Sequence, residues 1–197
     1  MRIADNDGHA GLHGDAEEAE YALLMRVAAE DMLAFETLYR AYRPRLRRFI
    51  TGITRQPALV EEVLDDTMMV VWRKAHACSH DAKVSTWIFA IAWRQALHAL
   101  RRHDDRFESG GDEHASSAEP GPDVELQQCE LHRHLDTALA GLSAEQRAVI
   151  ELTYYLGYAC REIAQIMDCP VDTVKTRMFY ARRKLKTLLV LTQEEAI

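Results

Sequence analysis

The sequence predicts an all-α protein made of two small helical domains joined by a flexible acidic linker. Three observations predict it. Apolar residues recur at helical spacing over residues 17–102 and again over 124–191. No strand-like alternation, internal repeat or hairpin dipeptide between apolar runs interrupts them. Between the two lies HDDRFESGGDEHASSAEPGPD, residues 103–123, with five glycines and prolines and seven acids against one arginine. Such a segment has no apolar face to bury and reads as a tether. Residues 1–16 read as a disordered tail.

Composition narrows the function. The chain has 197 residues and a net charge of −7, which argues against non-specific coating of nucleic acid. No run of 18 apolar residues exists, so no membrane insertion is expected. The N-terminus lacks the apolar stretch of a secretion signal, and the expected address is the cytoplasm. Cys78, Cys129, Cys160 and Cys169 are scattered and read as free thiols. Cys129, His132 and His134 do not share one helical face, so no metal site is expected there. No phosphate-binding loop or nucleophile motif appears. The chain is expected to be no enzyme and to need no cofactor.

The helix over 59–75, LVEEVLDDTMMVVWRKA, turns Val60, Val63, Leu64, Met68 and Val71 inward. Glu62, Asp66, Met69 and Arg73 share the outward stripe, with Asp65 beside them. This face reads either as a solvated surface or as a dock for a basic partner. Over 83–102, Phe89, Ala92, Trp93, Ala96, Leu97 and Leu100 form the buried arc. Trp87, Ile91, Arg94, His98 and Arg101 share the other face, with Arg102 adjacent. An indole among arginines is how single-stranded nucleic acid is stacked and held. The other reading folds Trp87 under the preceding loop as core. That loop, residues 76–85, is polar and offers a place for an extruded base.

The second domain opens with Ser143 and Gln146 at capping-box spacing. Val149, Ile150, Leu152 and Tyr155 continue the helix as its apolar residues, and Gly157 ends it. Small Ala164, the turn Asp168-Cys169-Pro170 and the returning Val174 are what a helix-turn-helix needs. On the helix that follows, Val171, Val174, Met178, Ala181, Leu185 and Leu188 fall on one arc. Lys175, Thr176, Phe179, Tyr180 and Arg183 lie opposite, flanked by Arg177, Arg182 and Lys184. Cations and exposed rings on one face suit a major groove, where they meet phosphates, guanine edges and thymine methyls.

Three of these stretches resemble, in order, the extracytoplasmic-function (ECF) sigma factors of bacterial RNA polymerase. LVEEVLDDTMMVVWRKA is similar to their region 2.2, STWIFAIAWRQALHALRR to regions 2.3 and 2.4, and residues 142–185 to region 4. The resemblance implies an alternative sigma factor of two domains, region 2 at 17–102 and region 4 at 124–191. It implies that Glu62, Asp65, Asp66, Met69 and Arg73 dock on the β′ clamp helices of core RNA polymerase. It implies that Trp87, Ile91, Arg94, His98, Arg101 and Arg102 face the −10 element of promoter DNA. Lys175, Thr176, Arg177, Phe179, Tyr180, Arg182 and Arg183 would read the −35 element, and region 4 would also bind the β flap. The linker would thread toward the RNA exit path. An anti-sigma factor is expected to hold the chain silent. Arg94 and His98 stand where the family often has Asn and Asp. Asp168 stands where glycine is common, which weighs against a left-handed turn. Two other classes remain open: a helix-turn-helix regulator that binds duplex DNA alone, and a protein-only adaptor.

Overall fold

The computed structural model describes residues 8–80, 82–108 and 137–194, and every regular element among them is helical. Helix α1 spans Gly8–Ala28, α2 Met32–Thr54, α3 Pro57–Lys74 and α4 Val84–Glu108, with a 3₁₀ turn at Ala75–Ala77. Helix α5, Ala144–Ile150, runs on as a π turn, Glu151–Tyr155. Helices α6, Cys160–Met167, and α7, Val171–Glu194, follow.

Local chemistry sets the boundaries. Asp31 caps α2: its Oδ1 accepts from the amides of Leu33 at 3.0 Å and Ala34 at 3.1 Å. The Ala34 amide and the Arg26 guanidinium hold this carboxyl below its ordinary range. Arg55 closes α2 in the left-handed region, and Pro57 opens α3 at its first turn, where a missing N–H costs nothing. Ser143 and Gln146 form the capping box reciprocally, at 3.1 and 3.3 Å. Two boundaries differ from the sequence expectation. Helix α1 as described begins at Gly8, inside the supposed tail; its first turns propagate outward from a segment fixed by the Glu17–Lys83 pair and by Glu20, Leu24 and Val27. Helix α4 continues to Glu108, inside the supposed linker, because no glycine or proline interrupts it before Gly110.

The first unit packs α2 against α3 and α3 against α4 around Leu38, Leu46, Phe49, Leu64, Met68 and Phe89. Tyr42 is buried among them, and its hydroxyl donates to Glu20 at 2.6 Å. The second unit buries Val149, Leu152, Ile163, Ile166, Val174 and Ala181. The two units form one continuous core. Six successive residues of α4, Ile88 to Trp93, are all buried. A helix packed on one side alternates exposed and buried positions. Unbroken burial needs a second partner, and α6 supplies it by packing along α4 while α5 packs on α2. Residues 109–136, most of the expected linker among them, lie outside the described residues.

Candidate nucleic-acid and polymerase interfaces

The helix-turn-helix is built as its sequence requires. Helix α6 ends at Asp168, whose φ of 49° is left-handed despite its side chain. This corrects the expectation: aspartate is one of the few non-glycine residues that tolerate this region. The turn delivers Val174, Met178 and Ala181 into the core. The opposite face of α7 is open. Phe179 is 60% and Tyr180 52% exposed, with their rings edge to face at 5.5 Å. Lys175, Thr176, Arg182 and Arg183 are exposed beside them. Lys175 pairs with Asp172 at 3.1 Å. Arg177 is half-buried, its Nη1 3.5 Å from Cys169 Sγ, which sets it back from the other cations.

Tyr155, counted above among the apolar residues of its helix, stands at the surface. The π turn inserts an extra residue into the helical register, so Tyr154 and Tyr155 both emerge at the surface. The Arg182 guanidinium lies 5.5 Å from the Tyr154 ring centroid. Neither tyrosine was foreseen as a surface group, although the adjacent pair just before Gly157 was a visible signal.

The −10 candidates divide. Trp87, Ile91 and Arg94 of α4 line one cleft of about 280 Å³ with Val70 and Lys74 of α3 and Ala77 of the 3₁₀ turn. That is just below the ~300–1,000 Å³ of ordinary small-molecule sites. Ile91 is 6% exposed, so it is floor rather than contact surface. Its burial corrects the outward placement read from the helical wheel. Trp87 is half-buried and forms a wall; Arg94 is exposed, with Nε donating to the Ala90 carbonyl at 3.1 Å. His98 and Arg101 are exposed farther along α4. Arg102 leaves the group: its Nη2 donates to Glu62 at 2.5 Å, joining α4 to α3. Among the described residues of the 76–85 loop, Ala77 lines the cleft. His80 is 3.3 Å from Glu18 and edge-on to Tyr21, and Lys83 is bound to Glu17, so α1 ties the loop down.

On α3, Asp65, Asp66, Met69 and Arg73 are exposed as expected, and Glu62 is exposed but paired with Arg102. Asp65 accepts from the Tyr39 hydroxyl at 3.3 Å. Helix α2 runs antiparallel alongside and adds an apolar part that was not foreseen. Phe35 packs edge-on to Trp72 at 5.1 Å, and Leu33 at the start of α2 is 71% exposed, with Met32 exposed beside it. Arg43 and Arg47 neutralise Glu61 at the other end. The α3 face is therefore acidic at Asp65 and Asp66 with Met69 exposed beside them, and Met32 and Leu33 stand exposed at the start of α2.

Among the described residues no group of three metal-ligating side chains occurs, and Cys78, Cys160 and Cys169 are free thiols. Burial pushes the Cys78 thiol up, which keeps it from acting as a thiolate. Cys129, His132 and His134 lie outside the described residues.

Two family models match, "Sigma-70 region 2" at residues 38–106 and "Sigma-70, region 4" at 132–185. The ECF RNA polymerase sigma factor RpoE of Cereibacter sphaeroides is 30% identical over 185 residues, covering 87% of this chain and 96% of its own. The ECF RNA polymerase sigma factor SigK of a Mycobacterium species is 30% identical over 173 residues, covering 85% and 89%. Among solved structures, the sigma factor RpoE in complex with the anti-sigma factor NepR from Bartonella quintana aligns with a TM-score of 0.65 at 25% identity, covering 79% of this chain and 96% of that one. CnrH, solved with the cytosolic domain of CnrY, aligns at 0.66 and 22%, covering 88% and 98%, and shares the fold. The region-2 match spans the cleft and the acidic face, and the region-4 match ends on the exposed rings of α7; with relatives at this identity over nearly the whole chain, the protein belongs to the ECF RNA polymerase sigma factors.

Proposed function

We propose that this sigma factor works in the cytoplasm as an alternative specificity subunit that brings core RNA polymerase to a stress-type set of promoters. The observation that carries the reading is the two-sided character of α7. Val174, Met178 and Ala181 are buried, while Phe179 and Tyr180 stand exposed among Lys175, Arg182 and Arg183. Exposed rings gain nothing from water but fit thymine methyls and base edges, with the cations on flanking phosphates. This helix reads the −35 element, and its domain also seats on the β flap.

The α3–α4 cleft takes a base extruded from the non-template strand at −10. Extrusion costs a few kcal/mol per base, offset by stacking on Trp87 and by Lys74 and Arg94 near the backbone. His98 and Arg101 extend the track of positive charge. Asp65, Asp66, Met69 and Arg73, with Met32 and Leu33, meet the β′ clamp helices. Glu62 and Arg102 act there chiefly as a strut between α3 and α4. The chemistry of RNA synthesis belongs to polymerase; the chain supplies sequence choice and strand opening. An anti-sigma factor holds it inactive, a reading supported by its likeness to the sigma factor RpoE solved in complex with the anti-sigma factor NepR.

In vitro transcription tests the reading. Purified chain is added to sigma-free core polymerase with fragments from upstream of its own gene. A mapped transcript that depends on the chain is expected. Firm duplex binding without polymerase, and no transcript, would instead indicate a free-standing helix-turn-helix regulator. Co-purification from the native host tests the inhibitor; a chain that is always free of a partner would reject it.

A further inference from the structure

We propose that Tyr154, on the π turn and outside α7, is a positioning residue for −35 binding: its ring holds the Arg182 guanidinium where a backbone phosphate of the promoter passes. The inference deepens the −35 reading of α7 and rests on it.

Three observations carry it. The first is placement. Arg182 flanks the open face of α7 and follows exposed Lys175 and Phe179 at spacings of four and three residues, so the three form one stripe. It lies seven residues, roughly 10 Å, beyond Lys175 along the helix axis. A recognition helix meets base edges through its N-terminal residues, in a groove about 12 Å wide. Arg182 therefore comes level with the sugar–phosphate wall of the groove rather than with the bases on its floor.

The second is how Arg182 is held. Its guanidinium lies 5.5 Å from the Tyr154 ring centroid, within cation–π range. Among the described residues no carboxylate pairs with it. Lys175 on the same stripe is held differently: Asp172, 3.1 Å away, fixes it and offsets its charge. A ring restrains a long arginine side chain, so less rotamer freedom is left to lose on binding, yet it leaves the positive charge whole for a phosphate. The third is exposure. Tyr154 is 57% exposed, although a tyrosine serving only the fold would gain by burial. It reaches the surface through the π turn, a device found frequently at functional sites.

Fluorescence anisotropy of a promoter duplex with the polymerase-bound full-length chain, followed over a range of salt, tests this. Arg182→Ala should weaken binding equally on duplexes of intact and altered −35 sequence and lower the salt slope by about one, as loss of a phosphate contact does. Tyr154→Ala should weaken binding about 2- to 5-fold, the value of one exposed cation–π contact expressed as affinity. In the Arg182→Ala background the same change should cost nothing further. Tyr154→Phe keeps the ring and should recover most of the loss. An equal loss from Tyr154→Ala in both backgrounds would overturn the proposal, because the tyrosine would then act by itself or through the fold. A Tyr154→Phe chain as weak as Tyr154→Ala would overturn it too, since the hydroxyl and not the ring would be the contact. So would a Tyr154→Ala chain that binds as the wild type does while Phe179→Ala is impaired, and in that case the −35 reading stands without it. If Arg182→Ala and Phe179→Ala both bind as the wild type does, the −35 reading of α7 fails and the proposal with it.

Discussion

Neighbouring residues on α7 should separate folding from DNA reading. Met178 is 7% exposed and lies on the buried arc with Val174 and Ala181. Met178→Ala removes three heavy atoms from a packed site and should cost about 2–5 kcal/mol, less a few tenths because alanine favours helix. Phe179 points the other way, with its ring against the similarly exposed Tyr180. Phe179→Ala should leave stability within about 0.5 kcal/mol. If its ring touches a base, the same change should cost about 1–3 kcal/mol of promoter binding, or roughly 5- to 140-fold in affinity at 1.4 kcal/mol per decade. Thermal unfolding of the two variants and fluorescence anisotropy of a promoter fragment with polymerase-bound chain give both numbers. The reasoning is refuted if Phe179→Ala melts early alongside Met178→Ala, or if it binds the promoter with wild-type affinity.

Three further outcomes are expected. Burial pushes the Glu151 carboxyl up, and the Arg48 charge offsets this only in part. A raised folded pKa means the charged form disfavours the folded chain, so stability falls as pH rises through that pKa. Glu151→Gln should accordingly melt later than wild type at pH 7, with the gain vanishing below the ordinary carboxylate range in a series of melts. Trp87→Ala should leave −35 binding intact but reduce strand opening, read by permanganate reactivity of unpaired thymines, by about 1–3 kcal/mol for one lost stack. Leu33→Ala, at an open site, should leave the melt unchanged within about 0.5 kcal/mol. It should weaken capture by core polymerase by at least about 1 kcal/mol in a competition assay.

The helices and their core-facing arcs were legible because one physical rule governs both. An amphipathic helix repeats its apolar residues every 3.6 positions, and Val60, Val63, Leu64, Met68 and Val71 obey it, as do Val174, Met178 and Ala181. The same rule failed where its premise of a single buried side failed. Helix α4 is covered from two directions, so Ile91 is buried although it falls on the face of Arg94 and His98. The exposure of Tyr154 and Tyr155 was not legible because helical periodicity assumes a constant angle per residue, and the π turn breaks it. The Glu62–Arg102 pair joins residues 40 apart in sequence, and no local pattern predicts which acid meets which base. Met32 and Leu33 follow directly on the Asp31 cap, and their exposure had no local signature.

Charge placement explains why an acidic chain carries a basic helix. Between residues 172 and 186, α7 holds six cations and one acid, while the whole chain is at −7. At physiological salt, exposed charges farther apart than about 8 Å hardly feel each other. The acids of α3 therefore do not cancel the field over α7 where a phosphate would sit. They do limit what α7 achieves alone. Each phosphate contact contributes a slope of about −0.9 to affinity against the logarithm of salt, so a few contacts give only weak, salt-sensitive binding. With Arg177 set against Cys169 and Lys175 engaged by Asp172, the cations left open on α7 number few. Tight promoter binding must then come from a second foothold. The cleft beside Trp87, proposed above to take a −10 base, would be one, with core polymerase holding the two units at a promoter's spacing.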